Sequence, residues 1–350
     1  MYNKFGISLY LSSYDTKRDI SERFQGSEYY VFTSFHIQEE LNSISDYLKK
    51  AKVMCKSLNE KGFKIIADVS LKTLHFFAYD NVIQFAKDMH IDVLRLDYGF
   101  SDEEIISIAK VYHIAFNAST INYELVEQLI KNGCKVFAFH NYYPRPETGL
   151  DDKMFNNINQ KLRKMGVKIL AFIPGDEIKR GPIFEGLPTL EKHRFLHPYI
   201  AFLDLLSNFK IDSVFVGDIK ISDIQFELIE NYLTDGVIQI PAHLHKAYQY
   251  LYNQIFTIRV DSPDKIMRLQ ESREYSSDGQ VEDQFNCVKR DAGSITMDNR
   301  YYKRYSGELQ IVREALPQDQ RVNVIGSILP DYLELMHCIK NGDKIKIVTI

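Results

Sequence analysis

The stretch LRLDYGF places an arginine and an aspartate, Arg95 and Asp97, two positions apart among apolar residues. Side chains two apart on an extended strand point to the same face, so both would face the same space. An aspartate beside an arginine favours its ionised form, which suits a nucleophile, a general base or a structural ion pair. We therefore take Asp97 as a candidate catalytic residue and Arg95 as its candidate neighbour in a binding site.

A second cluster, FHNYYPRPETGL, follows the apolar run KVFA directly. It offers an imidazole, an amide and phenols, all of which can hydrogen-bond a polar ligand. Either this is a decorated surface turn or it is one wall of a binding site. We favour the second interpretation, with His140, Asn141 and Tyr143 in the wall and the charged pair Arg145 and Glu147 in the turn above it.

A third region is the long segment GDEIKRGPIFEGLPTLEKHRFLHPY. Connections of this length are uncommon in compact domains and usually form lids or binding loops. It contains the candidate acids Glu185 and Glu191, and the candidate ligand-binding residues His193 and Arg194. The alternative is a capped helix start decorated with surface charges.

Three arginines lie near apolar residues in the C-terminal part of the sequence: Arg259 in TIRVD, and Arg268 and Arg273 in IMRLQESR. The planar guanidinium group suits the recognition of carboxylates and phosphates. Solvated helix charges are the alternative.

These residues must be positioned by secondary structure, and one pattern recurs: a polar helix end, Gly, any residue, Lys, then an apolar run. It occurs at Gly62, Gly133 and Gly166, where a helix C-terminus needs a left-handed residue. Continuous apolar runs are typical of parallel strands covered by helices on both faces. The pattern predicts eight such strands: Phe5–Tyr10, Tyr29–Phe35, Phe63–Val69, Asp92–Asp97, Ile114–Ser119, Lys135–His140, Lys168–Pro174 and Ser213–Asp218.

The segments between these strands have helical periodicity. Asn122 is one predicted N-cap, and either Asp151 or Asp152 is another. The apolar stripes of the helices that follow them are Leu125, Val126, Leu129 and Ile130, and Met154, Ile158, Leu162 and Met165. Eight strand–helix units predict an α/β fold, a (β/α)8 TIM barrel over residues 1–240. An open doubly wound sheet is the competing fold, but no glycine-rich phosphate loop follows the first strand.

In such a barrel the active site lies at the C-terminal ends of the strands. The residues predicted there are polar almost all round: Ser8, Tyr10, Ser12, Thr33, Ser34, His36, Asp68, Arg95, Asp97, Asn117, Ser119, His140, Asn141, Tyr143, Asp176, Glu177 and Asp218.

The sequence changes character after about Gly236. IFTIRVD, QRVNVIGSI and GDKIKIVTI alternate apolar and polar residues and are separated by turn sequences such as Ser306-Gly307 and Asn341-Gly342. This pattern predicts antiparallel strands with one wet face. We expect a second domain over 241–350, a small β-barrel or sandwich.

The composition excludes several classes of function. The formal net charge is −4 without a basic block, which argues against nucleic-acid binding. No apolar run approaches a membrane span, and no signal peptide is recognisable at the N-terminus. The four scattered cysteines predict reduced thiols and a cytoplasmic location, and no spacing indicates a metal or another cofactor. Carboxylates, amides, aromatics and arginines remain, which suit a sugar bearing an anionic group.

Many motifs resemble one family in order along the chain. They include FGISLY, ADVS, LRLDYGF, FNAS, HNYYP with TGL, GLPTLEKHR, RVD with MRLQESR, and YSGELQI with VNVIGSI. Together they are similar to the 6-phospho-N-acetylmuramidase family of glycoside hydrolases, formerly an uncharacterised outer-surface-protein family. The resemblance covers essentially the whole chain and implies a TIM barrel followed by a cyclophilin-like β-barrel.

The resemblance also implies a reaction: hydrolysis of N-acetylmuramic acid 6-phosphate linked β-1,4 to N-acetylglucosamine, in cytoplasmic peptidoglycan recycling. Glycosidic cleavage needs two carboxyl groups, one protonated and one ionised. We expect Asp97 to act with Glu185, Asp68 or Glu191, or one carboxylate to orient the substrate acetamido group. The expected binding residues are Arg95, Asn117, His140, Asn141, Tyr143, His193, Arg194, Arg268 and Arg273. All of them except Arg95 and Tyr143 fall on motif positions of the family.

Two alternatives stay open at this point: a phosphosugar lyase or isomerase on the same barrel, and a non-catalytic phosphosugar sensor. A phosphorylated muramyl disaccharide is the expected partner molecule, with no nucleic acid and no membrane. The sequence leaves open whether the protein forms a homo-oligomer.

Overall fold

The computed structural model describes residues 4–14, 29–35, 46–277 and 281–350. It divides into two compact units, Met1–Ser222 and Asp223–Ile350. The boundary predicted between residues 240 and 241 falls within Ile238–Leu244, the first strand of the second unit.

The first unit is a closed barrel of eight parallel strands paired in chain order, with the eighth strand pairing the first. The predicted (β/α)8 fold is therefore confirmed. Seven of the eight predicted strands contain the observed one, and the remaining observed strand begins at His113, one residue before its predicted start. The strands are β1 Phe5–Ser8, β2 Tyr30–Ser34, β3 Lys64–Val69, β4 Val93–Leu96, β5 His113–Asn117, β6 Val136–Phe139, β7 Lys168–Ile173 and β8 Ser213–Val216.

The described helices of this unit alternate with the strands. They are α1 Tyr47–Glu60, α2 Leu71–Phe76, α3 Val82–Asp88, α4 Asp102–Ala109, α5 Tyr123–Lys131, α6 Asp152–Lys164 and α7 Pro198–Ser207, with 3-10 turns at Leu11–Ser13 and Glu191–His193. None of the helices within the described ranges is long and apolar enough to cross a lipid bilayer.

The predicted helix ends are confirmed. Gly62, Gly133 and Gly166 have φ values of 86°, 76° and 76°, the left-handed region that glycine reaches without strain. The side chain of Asn122 accepts a hydrogen bond from the Leu125 N–H at 3.3 Å, and that of Asp151 accepts one from the Met154 N–H at 2.8 Å.

The predicted apolar stripe of α6 is only partly correct. Leu162 is fully buried as predicted, but Met154 is 53% exposed, and Phe155 and Asn159, which were not predicted, are fully buried. Phe155 packs on the ring of His140 with centroids 4.5 Å apart, and Asn159 Oδ1 accepts a hydrogen bond from Nε2 of the same imidazole at 2.7 Å. Periodicity of apolar residues could not find this face because its central member is an amide.

The barrel interior is filled by large side chains, many of them aromatic. The rings of Phe139 and Phe172 stack at 4.5 Å, and Phe32 meets both edge-on. Gly6 makes room for this packing, since a Cβ there would lie 2.5 Å from the ring of Phe215. The barrel interior is therefore a packed core and not a channel, so a ligand site has to lie at an end of the barrel.

The second unit is a seven-stranded sheet in the order β10-β15-β9-β14-β12-β13-β11. Its strands are β9 Ile238–Leu244, β10 Ile255–Thr257, β11 Ile266–Arg268, β12 Ser294–Asp298, β13 Leu309–Val312, β14 Val322–Ile328 and β15 Lys344–Val348. The helices α8 Asp223–Asp235 and α9 Ser272–Ser277 and three 3-10 turns, Lys246–Leu251, Arg300–Tyr305 and Pro330–His337, complete it.

This sheet is curled, because its two edge strands meet. An antiparallel bridge joins Ile258 to Leu269, and the Arg259 N–H donates to the Arg268 carbonyl at 2.9 Å. All neighbouring strands are antiparallel except β9 and β15. A small β-barrel or sandwich of antiparallel strands was predicted, and the parallel pairing of β9 with β15 departs from it. The cyclophilin-like character stays a prediction.

Candidate active site

A pocket of about 200 Å³ opens at the C-terminal ends of the barrel strands. Its lining residues come from β2, β3, β4 and β7 and from the connections after β4 and β6: Phe32, Asp68, Arg95, Asp97, Asn141, Tyr142 and Phe172. Four of them, Asp68, Arg95, Asp97 and Asn141, were predicted as site residues. The pocket therefore lies at the end of the barrel where the fold places active sites.

The pocket is the next layer above the barrel core. Ile66, Val93 and Phe139 belong to the buried cluster inside the barrel. Side chains alternate along a strand, so Asp68, Arg95 and Asn141, each two residues further on, face the same axis. The inward-facing side chains thus change from apolar to polar where the strands reach the end of the barrel.

Arg95 lies at the centre of the polar half of the pocket and is only 6% exposed. Its Nη1 donates to Asp68 Oδ1 at 2.6 Å, and its Nη2 donates to Asn141 Oδ1. Asp68 and Arg95 are register partners on β3 and β4. One planar guanidinium group therefore fixes the orientation of a carboxylate and an amide.

Asp97 supplies the second carboxylate of the pocket. Its N–H donates to the Val69 carbonyl at 3.0 Å, so the backbone continues the β3–β4 pairing by one step beyond β4. The side chain is half-buried. Two carboxylates from neighbouring strands thus line one pocket, which is the minimum requirement for general acid–base chemistry on a glycosidic bond.

The other half of the pocket is aromatic. Tyr142 packs edge-on against Phe172 with ring centroids 5.1 Å apart, and its hydroxyl accepts a hydrogen bond from Arg180 Nη1 at 2.9 Å. The Arg180 guanidinium lies over the ring of Tyr10 at 3.6 Å. Burial, followed by the nearby Tyr142, raises the pKa of Tyr10 well above its ordinary value.

Asp218 holds the connection that carries Arg180. This fully buried carboxylate accepts hydrogen bonds from the N–H groups of Gly175, Arg180 and Leu187 at 2.8, 2.9 and 3.0 Å. Burial raises its pKa, and the three N–H donors oppose that shift. The connection passes close to the backbone of Gly217, since a Cβ on this glycine would lie 2.5 Å from the Leu187 carbonyl oxygen.

Glu191 and Arg194 form an ion pair away from the pocket. Arg194 Nε and Nη2 both donate to Glu191 at 2.6 Å, and the same carboxylate accepts from the N–H groups of Glu147 and Gly149 at 2.8 and 2.7 Å. Arg194 first, and then these N–H groups, lower the pKa of Glu191 to about 2. A carboxyl group held in this way is a poor proton donor.

Arg194 is also committed to the backbone. Its Nη2 donates to the carbonyls of Tyr143 and Arg145 at 2.9 and 3.2 Å, and its Nη1 donates to that of Gly186 at 3.0 Å. The side chain has no exposed surface. Arg194 therefore joins the connection after β6 to the connection after β7, and we call it with Glu191 the loop clip.

Both predicted histidines lie in the protein interior. His140 is fully buried, its Nε2 lies 2.7 Å from Asn159 Oδ1, and burial lowers its pKa to about 4. His193 is also fully buried, with its Nε2 2.8 Å from Asp204 Oδ2, and burial lowers its pKa. Neither ring is accessible to a substrate in this conformation.

Three further predicted residues lie outside the set that lines the pocket. Asn117 accepts a hydrogen bond from the Ser119 N–H at 3.0 Å. The Tyr143 hydroxyl lies 3.5 Å from the Ser119 hydroxyl. Glu185 is half-buried in the connection after β7.

The predicted arginines of the second unit lie beside carboxylates. Arg268 Nη2 and Arg273 Nε lie 3.1 and 4.0 Å from the buried Glu308. Arg259 pairs with Asp261 at 2.8 Å. His36 lies outside the described residues. Within the described residues no three His, Cys, Asp or Glu side chains are arranged to hold a metal ion.

Sequence reasoning missed Tyr142 and Arg180. Tyr142 belongs to a stretch already singled out, and Arg180 to the long connection after β7. The alternation of side chains after Phe139 correctly separates His140, towards the helices, from Asn141, in the pocket. It gives no signal for Tyr142, which lies after the end of β6 and would by alternation face away from the pocket.

Comparison with known proteins agrees with the fold and the motifs. The family model described as "6-phospho-N-acetylmuramidase, N-terminal" matches residues 5–231, and the one described as "6-phospho-N-acetylmuramidase, C-terminal" matches residues 238–348. No curated protein matches the chain.

Two solved structures are similar over almost the whole chain. One is a conserved protein of unknown function from Enterococcus faecalis, 29% identical, with a TM-score of 0.83 and coverage of 99% of this chain and 96% of that one. The other is an uncharacterized B. cereus protein, 23% identical, with a TM-score of 0.78 and coverage of 99% and 100%, which shows the fold alone. Since the two family models match nearly every residue of both units, the chain belongs to the 6-phospho-N-acetylmuramidase family.

Proposed function

We propose that the protein hydrolyses the β-1,4 bond between N-acetylmuramic acid 6-phosphate and N-acetylglucosamine, releasing both sugars. Family membership supports this substrate class. The observation that carries the proposal is the joint presence of Asp68 and Asp97 in one pocket at the catalytic end of the barrel. The reaction would serve peptidoglycan recycling in the cytoplasm.

In this proposal Asp97 is one of the two reacting carboxyl groups. Asp68 is the first candidate for the other, because it lines the same pocket. Glu185 is the second candidate, since it lies half-buried in the connection that also carries Arg180. Glu191 is set aside, because the loop clip occupies both of its oxygens.

The remaining lining residues have distinct roles. Asn141 hydrogen-bonds a sugar hydroxyl or the acetamido group of the substrate. Arg95 holds the side chains of Asn141 and Asp68 in place. Phe32, Tyr142 and Phe172 provide the apolar faces on which a sugar ring can pack. The substrate acetamido group can itself attack the anomeric carbon, in which case one aspartate orients the amide and the other protonates the leaving oxygen.

The test is release of free N-acetylglucosamine from the phosphorylated muramyl disaccharide by wild type, Asp97→Asn, Asp68→Asn and Glu185→Gln. Loss of an acid, base or nucleophile should lower kcat by two to four decades, on the order expected for proton transfer. We expect this for Asp97→Asn and for one of the other two. Glu177→Gln is the matched control, because Glu177, like Glu185, lies in the connection after β7 but pairs with Lys220 at the surface.

Three outcomes would contradict the proposal. Near-wild-type turnover by Asp97→Asn would remove its central residue. Conversion of the substrate without N-acetylglucosamine release would indicate a phosphosugar lyase or isomerase. Binding of the disaccharide without turnover by the wild type would indicate a sensor.

A further inference from the structure

We propose that Asn141 recognises the acetamido group at C2 of the bound sugar, so that the pocket selects N-acetylated sugars over sugars with a C2 hydroxyl. The inference rests on the proposed function for the rest of the substrate and deepens it at one substituent. It depends on which side-chain atom of Asn141 meets the ligand and on how firmly that atom is held.

Arg95 determines the orientation of the Asn141 amide. Its Nη2 donates a hydrogen bond to Asn141 Oδ1. A guanidinium group carries donors and no acceptor, so the amide atom that faces it has to be the oxygen. The opposite orientation would set two donors against each other. The contact with Arg95 therefore leaves Nδ2, which carries two hydrogens, as the amide atom available to a ligand.

This donor has no protein partner within the described part of the chain. Asn141 lines the pocket, and its printed hydrogen bonds are made by the side-chain oxygen and by the backbone carbonyl. A ligand that displaces water from the pocket has to offer Nδ2 an acceptor, because a desolvated donor without an acceptor costs free energy. An oxygen atom of the ligand meets this demand, whereas an apolar substituent does not.

The backbone that carries Asn141 is fixed by Thr189, which is fully buried. The Asn141 carbonyl accepts a hydrogen bond from Thr189 Oγ1 at 2.9 Å. The same Oγ1 accepts one from the Phe172 N–H at 2.9 Å, and the Thr189 N–H donates to the Phe172 carbonyl at 3.0 Å. One threonine thus joins two residues that line the pocket. A donor held in this way loses little conformational freedom when a ligand binds.

The pocket complements the parts of an acetamido group. That group presents a carbonyl oxygen, which only accepts hydrogen bonds, and an apolar methyl. The pocket presents the donor of Asn141 and, on its aromatic side, Phe32, Tyr142 and Phe172. A hydroxyl group has no methyl to pack, and it divides its hydrogen bonding between donating and accepting. The arrangement therefore favours the acetamido group, which both sugars of the proposed substrate carry.

The test uses two ligands of equal charge: N-acetylmuramic acid 6-phosphate, and its analogue with a hydroxyl group in place of the acetamido group at C2. Calorimetric titration gives the ratio of their affinities for wild type, Asn141→Asp, Asn141→Ala and Asn122→Asp. Asn141→Asp keeps an oxygen for Arg95 but replaces the donor with an acceptor. Asn122→Asp is the matched control, because it makes the same chemical change at the N-cap of α5, where aspartate also caps a helix.

We expect wild type to bind the acetamido sugar about 10- to 100-fold more tightly than the hydroxyl analogue, the range for a satisfied against an unsatisfied polar contact. The ratio should fall by about 10-fold in Asn141→Asp and Asn141→Ala and should stay at the wild-type value in Asn122→Asp. A purely structural role of Asn141 would weaken both ligands alike and leave the ratio unchanged. Because the ligands carry equal charge, the added carboxylate of Asn141→Asp cancels in the ratio.

An unchanged ratio in the Asn141 variants, equal affinities of the two ligands for wild type, or no binding of N-acetylmuramic acid 6-phosphate would overturn the proposal. Release of N-acetylglucosamine from the disaccharide by wild type is measured in parallel. Normal release with a failed ratio refutes only the acetamido assignment, whereas no release with the expected ratio refutes only the hydrolase. Melting curves establish that the variants are folded, and Asn141→Ala keeps the assignment testable if Asn141→Asp does not fold.

Discussion

Three arginines at one end of the barrel differ in what their guanidinium groups contact. Arg95 orients a carboxylate and an amide, Arg180 lies on aromatic rings, and Arg194 is enclosed by backbone carbonyls and Glu191. The sequence identified Arg95 and Arg194 as binding candidates with equal reason. Which donors are already occupied depends on contacts between residues far apart in the chain, so composition and motif could not separate them.

Replacing Arg95 with Lys tests its orienting role. Lysine keeps the charge but donates from a single point, so it cannot hold Asp68 and Asn141 in one plane. We expect kcat/KM on the phosphorylated disaccharide to fall by about 100-fold, as for a misplaced catalytic group. Arg145→Lys, at an exposed position, should leave the rate unchanged. Equal rates for Arg95→Lys and the wild type would contradict the role.

At the scale of the elements, buried strands were the most predictable feature. Runs such as KVFAF and KILAFI are apolar on consecutive positions, and the observed β6 and β7 fall within the predicted bounds. The α6 stripe was right at Leu162 but wrong at Met154, because the buried face includes Asn159, whose hydrogen bond with His140 leaves no apolar periodicity in the sequence. The polar residues at the barrel rim were predictable from the strand ends. The loop clip was not, because its residues bind the backbone of a connection 40 or more residues earlier in the chain.

The loop clip should contribute to stability rather than to chemistry. Arg194→Met leaves the Glu191 carboxylate without its charged partner. It also removes the hydrogen bonds to the carbonyls of Tyr143, Arg145 and Gly186 in the connections after β6 and β7. We expect the free energy of unfolding in urea to fall by about 3 kcal/mol, as for a broken buried pair. Glu127→Gln, which removes a surface pair with Lys131, should cost under about 0.5 kcal/mol. Similar losses in both variants would contradict this assignment.

The pH dependence of the clip follows from the lowered pKa of Glu191. Its value of about 2 in the folded chain lies below the value of about 4.3 expected for an unfolded glutamate. The stabilisation is therefore complete above about pH 4.3 and is lost as the pH falls towards 2. The difference in unfolding free energy between wild type and Arg194→Met should shrink over this interval, and a constant difference would argue against the pair.

At the scale of the whole molecule, each unit contains its own buried charges. In the second unit, Asp298 at the end of β12 and Glu308 immediately before β13 are both buried, with Arg268 beside Glu308. Burial first, and then the charges of Glu308 and Asp319, raise the pKa of Asp298 to about 7. The alternating strand pattern predicted this β-unit but could not reveal the carboxylate pair, because it forms only when β12 and β13 align.

The raised pKa of Asp298 predicts that its contribution to the free energy of unfolding falls as the pH rises. Between the unfolded pKa of about 3.9 and the folded pKa of about 7, the folded chain keeps a proton that the unfolded chain has lost. Each increase in pH over this interval therefore favours unfolding. Asp298→Asn removes this dependence, and its advantage over wild type should grow from pH 4 to pH 7 to on the order of 2–4 kcal/mol and then level off. Asp319→Asn is the contrast, because Arg321 lowers the pKa of Asp319 and the substitution should destabilise throughout this range. Urea unfolding at each pH measures both variants, and an advantage that does not change with pH would show that Asp298 is ionised in the folded chain.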